Sequence, residues 1–215
     1  MSEYKNPITL AVEEALENVQ LNLPDTTLPD PSSINYYVME TNRKLFLETE
    51  VGYPVMEMIK LILRWNMEDK EIPVEQRKPI TLYVMSDGGS LYYMWSLIDV
   101  MLASKTPIIT VNIGIAASAA ALIYLAGSKR YMMPTSFLVI HEGSTEMSGD
   151  ASKVLDAASN YDKELKRMRE YILSRTKIPP KIMNKKRKDD WYIDAEFCLE
   201  NEVCHNVVQT LDDII

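Results

Sequence analysis

From Asn42 onward, the pattern of hydrophobic and polar positions alternates between short apolar runs and longer segments with helical spacing. The short runs RKLFLE, PITLYVMS, PIITVNIG, KRYMM and SFLVIH predict strands. The segments YPVMEMIKLILRWN, LYYMWSLIDVMLAS and AASAAALIYLAG predict helices, the second with Leu91, Trp95, Ile98 and Leu102 on one face. Repeated strand-then-helix units imply parallel strands joined by right-handed crossovers, so the predicted fold class is α/β.

The first 35 residues do not follow this pattern. The stretch LPDTTLPDPSS is polar and rich in proline, which is typical of an extended arm or linker, and VEEALENVQ before it predicts one short helix. We therefore expect an N-terminal arm over residues 1–35 and one domain over residues 36–215.

A long helix is predicted over about residues 149–176. Its apolar residues recur at steps of four and three, in a narrow stripe on an otherwise charged helix. They are Val154, Ala158, Tyr161, Leu165, Met168 and Ile172. The pattern alone leaves two possibilities open: a surface helix that rests on its own core, or a projecting helix that pairs with another subunit.

Composition and charge narrow the class of protein. Hydrophobic residues make up 47% of the 215 residues, as in ordinary globular proteins, and a net charge of −8 argues against nucleic acid as the main partner. Two cysteines make neither a disulfide scaffold nor a zinc site. The start MSEYKNPITL is unlike a signal peptide, so a cytoplasmic location is expected. The apolar stretch from Pro107 to Gly127 changes midway from strand-like to helix-like, which disfavours a membrane span.

The candidate chemistry centres on Ser118, a single hydroxyl within GIAASAAA. The hydroxyl either bonds back to a helix carbonyl, or the small neighbours leave space around a serine that reacts. A nucleophilic serine needs a base, and histidine is the usual one. His141 follows the predicted strand SFLVI and would reach a sheet edge, whereas His205, in NEVCHNVV, is typical of a surface or packing residue.

Such a histidine also needs an orienting carboxylate, and the oxyanion needs donors. KDDWYIDAE offers Asp189, Asp190 and Asp194 as carboxylates. The turn at Gly88-Gly89 and the N–H of Ala119 offer backbone donors. Each of these features also has a plain structural explanation, as a solvated charge or a common strand-to-helix turn.

Three motifs together resemble the proteolytic subunit of the Clp protease, the ClpP family. They are MSDGGSLYYMWSLIDVM, GIAASAAALIYLAG and KRYMMPTSFLVIHEGS, in the order of the family, and the resemblance spans about Arg43 to Asn201. It implies the ClpP/crotonase-like fold: repeated β-β-α units, a parallel sheet and a projecting handle helix at about residues 149–176.

The resemblance also assigns roles to residues. Ser118 becomes the nucleophile and His141 the general base, while the backbone N–H groups of Gly89 and Ala119 become the oxyanion donors.

The acid follows from the family segment F-M-S-A-E-E-A, which we align with WYIDAEF. This alignment puts Trp191 at the aromatic position and Glu196 at a glutamate, and it assigns the triad acid to Asp189, with Asp190 as the second choice.

The implied function is a serine endopeptidase that cleaves unfolded polypeptides or peptides. The family implies a homo-oligomeric barrel of stacked heptameric rings, fed by an AAA+ unfoldase. No cofactor or metal is needed, and the chain has no phosphate-binding loop, so any ATP would be used by the partner.

The chain departs from the family at several positions. Asp87 replaces the proline of the glycine turn, Glu142 replaces the usual glutamine, and the glycine-rich strand is shortened to GSTEMSGD. On the strand that helps to dock the ATPase in this family, Tyr83 fits one aromatic position but Thr81 replaces the other.

Two other classes of protein remain open. A crotonase-type acyl-CoA enzyme shares the scaffold and the paired N–H groups but does not need Ser118 and His141 together. An inactive structural ring subunit would share the fold without the chemistry.

Overall fold

A computed structural model describes residues 30–143, 146–187 and 189–214. Contacts within the chain divide it between Tyr37 and Val38 into two units, and the candidate site belongs to the second. Most of the predicted arm, including the VEEALENVQ helix, lies outside the described residues. Residues 31–33, predicted as part of the linker, instead begin the first described helix. The domain boundary itself stays a prediction.

The described elements follow the predicted alternation of strands and helices. They are α1 (Pro31–Thr41), β1 (Lys44–Leu47), α2 (Val55–Glu68), β2 (Ile80–Ser86), α3 (Leu91–Ala103), β3 (Ile108–Ala117), α4 (Ala119–Leu125), β4 (Lys129–Met132), β5 (Phe137–Ile140), α5 (Ala151–Arg175), α6 (Pro180–Lys186), β6 (Trp191–Ile193), α7 (Ala195–Glu200) and β7 (Asn206–Val207). Short 3₁₀ turns lie at Val74–Gln76 and Leu211–Asp213. The hydrophobic pattern did not predict α1, α6, β6, α7 or β7.

The strands form one sheet with the order β1-β2-β3-β4-β7, in which every neighbouring pair is parallel. β5 pairs in parallel with β3 and antiparallel with β6, off this path. The predicted α/β class with a parallel sheet is confirmed.

β3 is longer than predicted because it pairs with two neighbouring strands, one along each half of its length. Its residues 109–112 pair with β4, and its residues 115–117 pair with β5. The buried Asn112 lies where the two pairings separate: its Nδ2 donates to Phe137 O (2.8 Å), and its Oδ1 accepts from Gly114 N (3.1 Å). These bonds satisfy backbone groups that the sheet leaves unpaired at this point. The second half of β3 therefore runs beside β5, toward the candidate site.

α3 buries only part of the predicted face, together with neighbouring positions. Met94 and Leu97 are fully buried beside Trp95 and Ile98, whereas Leu102 is 49% exposed. Because almost every position of LYYMWSLIDVMLA is apolar or aromatic, spacing alone could not fix which face meets the core.

The long helix α5 divides into two parts. Met168 and Ile172 pack into the main core, so the second half rests on its own subunit. In the first half, Ala158 and Leu155 are exposed, Leu155 at 70%. The second half therefore matches the first of the two possibilities, whereas pairing of the exposed first half with another subunit stays a prediction. Among the described residues, no helix combines the length and the apolar character needed to cross a bilayer.

Candidate active site

Ser118 lies at the turn between β3 and α4, not inside the helix as the motif suggested. Its φ of 54° and ψ of −123° are strained for a residue with a side chain, and such strain is found mainly at functional sites. The backbone N–H of Ser118 donates to Val139 O (2.9 Å), which ties the turn to β5. Within the described chain, the Ser118 hydroxyl makes no hydrogen bond to a helix carbonyl, which removes the plain structural explanation for it.

The alanines that follow explain how the turn is made. Ala119, Ala120 and Ala121 are fully buried, while Ser118 remains partly exposed. Small side chains let α4 start directly against the core, with the serine at its outer end. As the first residue of the helix, Ala119 has an N–H without an intrahelical acceptor.

The glycine turn after β2 packs directly against the serine. Gly88 has φ +103°, and a Cβ built on it would lie 2.7 Å from Ser118 Cβ and 3.0 Å from Ala119 N. Gly89 has φ +146°, and a Cβ there would lie 2.5 Å from Val51 O. Both positions therefore require glycine, because of both conformation and space. Val51 N donates to Gly88 O (2.7 Å), which holds the turn in place.

His141 directly follows β5, and its Nδ1 lies 3.2 Å from Asp190 Oδ1. The antiparallel register explains this contact, because Ile140 pairs with Trp191 and the next residues outward are His141 and Asp190. The two side chains are 34% and 69% exposed in the isolated chain. The structure thus brings Asp190, and not Asp189, to the histidine.

Asp189, the first choice from the family alignment, lies elsewhere. Its carboxylate is 3.4 Å from Lys186 Nζ and half exposed. Asp194 caps α7, where its Oδ1 accepts from Phe197 N (2.9 Å). An aspartate at an N-cap takes the place of the serine in F-M-S-A-E-E-A, and this shifts the alignment by one residue, to Asp190. That capping signal, an Asp before AEF, was present in the sequence and was overlooked.

His205 has a structural position, as its sequence context indicated. Its Nδ1 accepts from the backbone N–H of Arg130 (3.0 Å), and burial, with a smaller effect of Arg130, lowers its pKa. This ring contact does not involve Ser118.

Ser118, Gly89 and His141 line one open cleft beside α5. Among the described residues, no hydrogen bond joins the serine hydroxyl to His141. Trp95 crosses the cleft to α5: its indole N–H donates to Glu164 Oε2 (2.8 Å), and the Arg167 guanidinium lies 4.0 Å from its ring centroid.

Tyr83, which matches one aromatic position of the family's ATPase-docking strand, is covered by the chain itself. It stacks on Phe46 with 4.9 Å between the ring centroids, and its hydroxyl donates to Ile214 O (2.8 Å). Thr81, at the other position, is buried and accepts from Lys44 Nζ (3.1 Å). Sequence reasoning did not predict that the C-terminal segment would cover Tyr83.

In the part of the chain that the structure describes, no cluster of three or more His, Cys, Asp or Glu side chains could hold a metal ion. Cys198 and Cys204 are both buried and unpaired with each other as a disulfide.

The fold and the site together define an α/β protein with the set of groups used in acyl transfer: a partly exposed serine, a histidine–carboxylate pair and a glycine turn. Comparison with known proteins agrees: the family model described as Clp protease matches residues 32–210, so the chain belongs to this family.

The relatives that the chain matches are named as proteolytic subunits, and their sequence identity to it is low. It is 30% identical over 139 residues to the ATP-dependent Clp protease proteolytic subunit 2 of Treponema pallidum (64% of this chain, 70% of the relative). It is 29% identical over 176 residues to subunit 2 of Treponema denticola (80% and 84%). It is 25% identical over 176 residues to the proteolytic subunit of Dehalococcoides mccartyi (81% and 86%). The predicted resemblance to a divergent ClpP is therefore confirmed. Membership of the Clp protease family supports peptidase activity.

Proposed function

We propose that this protein is a serine endopeptidase in which Ser118 is the nucleophile, His141 the general base and Asp190 the orienting acid. The observation that carries the proposal is the shared cleft: a strained, partly exposed serine and a histidine paired with a carboxylate line the same opening. Asp190 replaces Asp189 in this role because its carboxylate contacts the imidazole and that of Asp189 contacts Lys186.

The pairing sets the direction of proton transfer. Asp190 accepts from Nδ1–H of His141, which leaves Nε2 unprotonated and able to take the Ser118 proton. The serine oxygen then attacks a peptide carbonyl, the protonated imidazole gives its proton to the leaving amine, and water later hydrolyses the acyl-enzyme.

The oxyanion of the tetrahedral intermediate is stabilised by the backbone N–H groups of Gly89 and Ala119. This assignment is supported by the close packing of the glycine turn on Ser118 Cβ and Ala119 N. Backbone donors held by such packing need no reorganisation when charge develops on the oxygen.

The active form is a homo-oligomer of stacked heptameric rings that takes unfolded polypeptides from an AAA+ unfoldase. The exposed first half of α5 supports contact with other subunits, because a monomer leaves Leu155 70% in water. The relatives are named subunits of ATP-dependent proteases, which supports the partner. A cytoplasmic location stays a prediction.

The test is covalent labelling with a fluorophosphonate, followed by peptide mapping and a fluorogenic peptide assay. Label on Ser118, and loss of label and hydrolysis in Ser118→Ala, are expected, with a loss on the order of 10⁶ in rate for a triad nucleophile. Ser174→Ala, on the exposed side of α5, is the matched control and should label normally. An unlabelled wild type in assembled rings would overturn the proposal and favour an inactive ring subunit.

A further inference from the structure

Glu142 directly follows the histidine and is the residue at which the chain replaces the family's usual glutamine. Its Oε1 accepts a hydrogen bond from Arg169 Nη1 (3.1 Å) and forms an ion pair with Arg187, whose Nε lies 3.0 Å away, and its side chain is 25% exposed. Its backbone carbonyl accepts from the Tyr161 hydroxyl (2.6 Å). Three side chains from outside the strand thus converge on this one residue.

The three side chains come from two different parts of the chain. Arg169 and Tyr161 lie on α5, whereas Arg187 directly follows α6 and precedes Asp190 by three residues. Through one carboxylate, Glu142 therefore connects the segment that carries His141 both to the long helix and to the segment that carries Asp190.

The contact between His141 and Asp190 needs such support. At 3.2 Å it is longer than the usual charge-assisted hydrogen bond, and both side chains are substantially exposed. Exposed ion pairs contribute little by themselves to holding two side chains together. The last paired residues of the two strands are Ile140 and Trp191, so both groups stand one residue beyond the ladder.

We propose that Glu142 is a positioning residue for the triad: its carboxylate, hydrogen-bonded to Arg169 and ion-paired with Arg187, holds the His141 and Asp190 segments in register. The inference rests on the proposed function. Arg187 supplies the link to the acid, and Arg169 and Tyr161 supply the link to the helix.

Glu142→Gln keeps the shape of the side chain and removes its charge, which leaves two arginines without a counter-charge. We expect kcat and the rate of fluorophosphonate labelling to fall about 10- to 100-fold, the usual range for groups that orient a catalytic residue, with KM changed less than about threefold. Glu142→Asp, which keeps the charge, should restore part of the rate. Glu170→Gln is the matched control, because Glu170 lies on α5 beside Arg169 and pairs only loosely with Lys166 (3.9 Å).

A double-mutant cycle tests the path through Arg187. If Glu142 acts by holding Arg187, Arg187→Gln should cost a similar factor, and the double variant should be no slower than the slower single variant. Lys186→Gln, one residue earlier, should have no such coupling, because its partner is Asp189.

The decisive test introduces Glu142→Gln into the Asp190→Asn variant. A positioning role predicts that Glu142→Gln slows this variant less than about twofold, since the alignment that Glu142 protects is already lost. A purely structural role predicts the same 10- to 100-fold loss in both backgrounds, together with altered particle size or thermal stability, and that result would overturn the inference. Wild-type labelling separates the two proposals: if the wild type labels at Ser118 and Glu142→Gln labels equally fast, only this inference fails.

Discussion

The sharpest prediction concerns the two adjacent aspartates. Asp190→Asn should cut turnover strongly and leave the fold intact, because Asn cannot balance the imidazolium that forms during attack and can favour the wrong tautomer of His141. Asp189→Asn removes the same charge one residue away and serves as the matched control. Its carboxylate contacts Lys186, at 3.4 Å, rather than the histidine.

The expected size follows from the distance. At 3.2 Å between Nδ1 and Oδ1, a unit charge pair is worth about 1.3 kcal/mol at a dielectric constant of 80 and about 5 kcal/mol at 20. Since each 1.36 kcal/mol is tenfold in rate, these limits correspond to about 10-fold and almost 10⁴-fold. The 69% exposure of Asp190 in the isolated chain favours the lower half of this range, about 10- to 100-fold.

The assay is kcat on a fluorogenic peptide, with the labelling rate by a fluorophosphonate as a second readout that does not depend on peptide binding. Asp189→Asn should stay within about threefold of wild type on both. A larger loss in Asp189→Asn than in Asp190→Asn would refute the assignment and return the acid role to the residue that the family alignment chose.

Three further results are expected. Leu155→Glu should reduce the particle mass in sedimentation velocity without changing the far-UV spectrum, because the side chain is 70% exposed within the subunit; an unchanged mass would mean that this half of the helix makes no subunit contact. Asp69→Asn should destabilise the fold by roughly 3 kcal/mol in urea unfolding, since it breaks a buried pair with Arg43 (2.6 Å). The Arg43 hydrogen bond lowers the pKa of Asp69, so this stabilisation is complete above the carboxyl's unfolded pKa and is lost as the pH falls through its folded pKa; the gap between wild type and variant should therefore shrink below about pH 4. Burial raises the pKa of both thiols, that of Cys204 to about 11, so native Cys198 and Cys204 should resist iodoacetamide at pH 8 and react only after denaturation; rapid native alkylation would contradict their burial.

Local sequence patterns were enough to predict the α/β class, most of the strands and helices, and Ser118 and His141 as a candidate pair. These features depend on local signals: period-two and helical spacing, glycine turns and a serine among small residues. The family motifs carry the same information because they lie in the turns that connect strands to helices. α6 was missed, since PKIMNKK has few apolar positions to mark a helical face.

Which side chains come into contact depends on the packing of distant segments. The choice between Asp189 and Asp190 depends on the strand register, where a shift of one residue moves a side chain to the other face of the sheet. The sharp turn of Ser118 depends on β3 continuing beside β5, which the bonds of Asn112 allow. The convergence of Arg169 and Arg187 on Glu142 joins residues 27 positions apart and more, and no local pattern records such a distance.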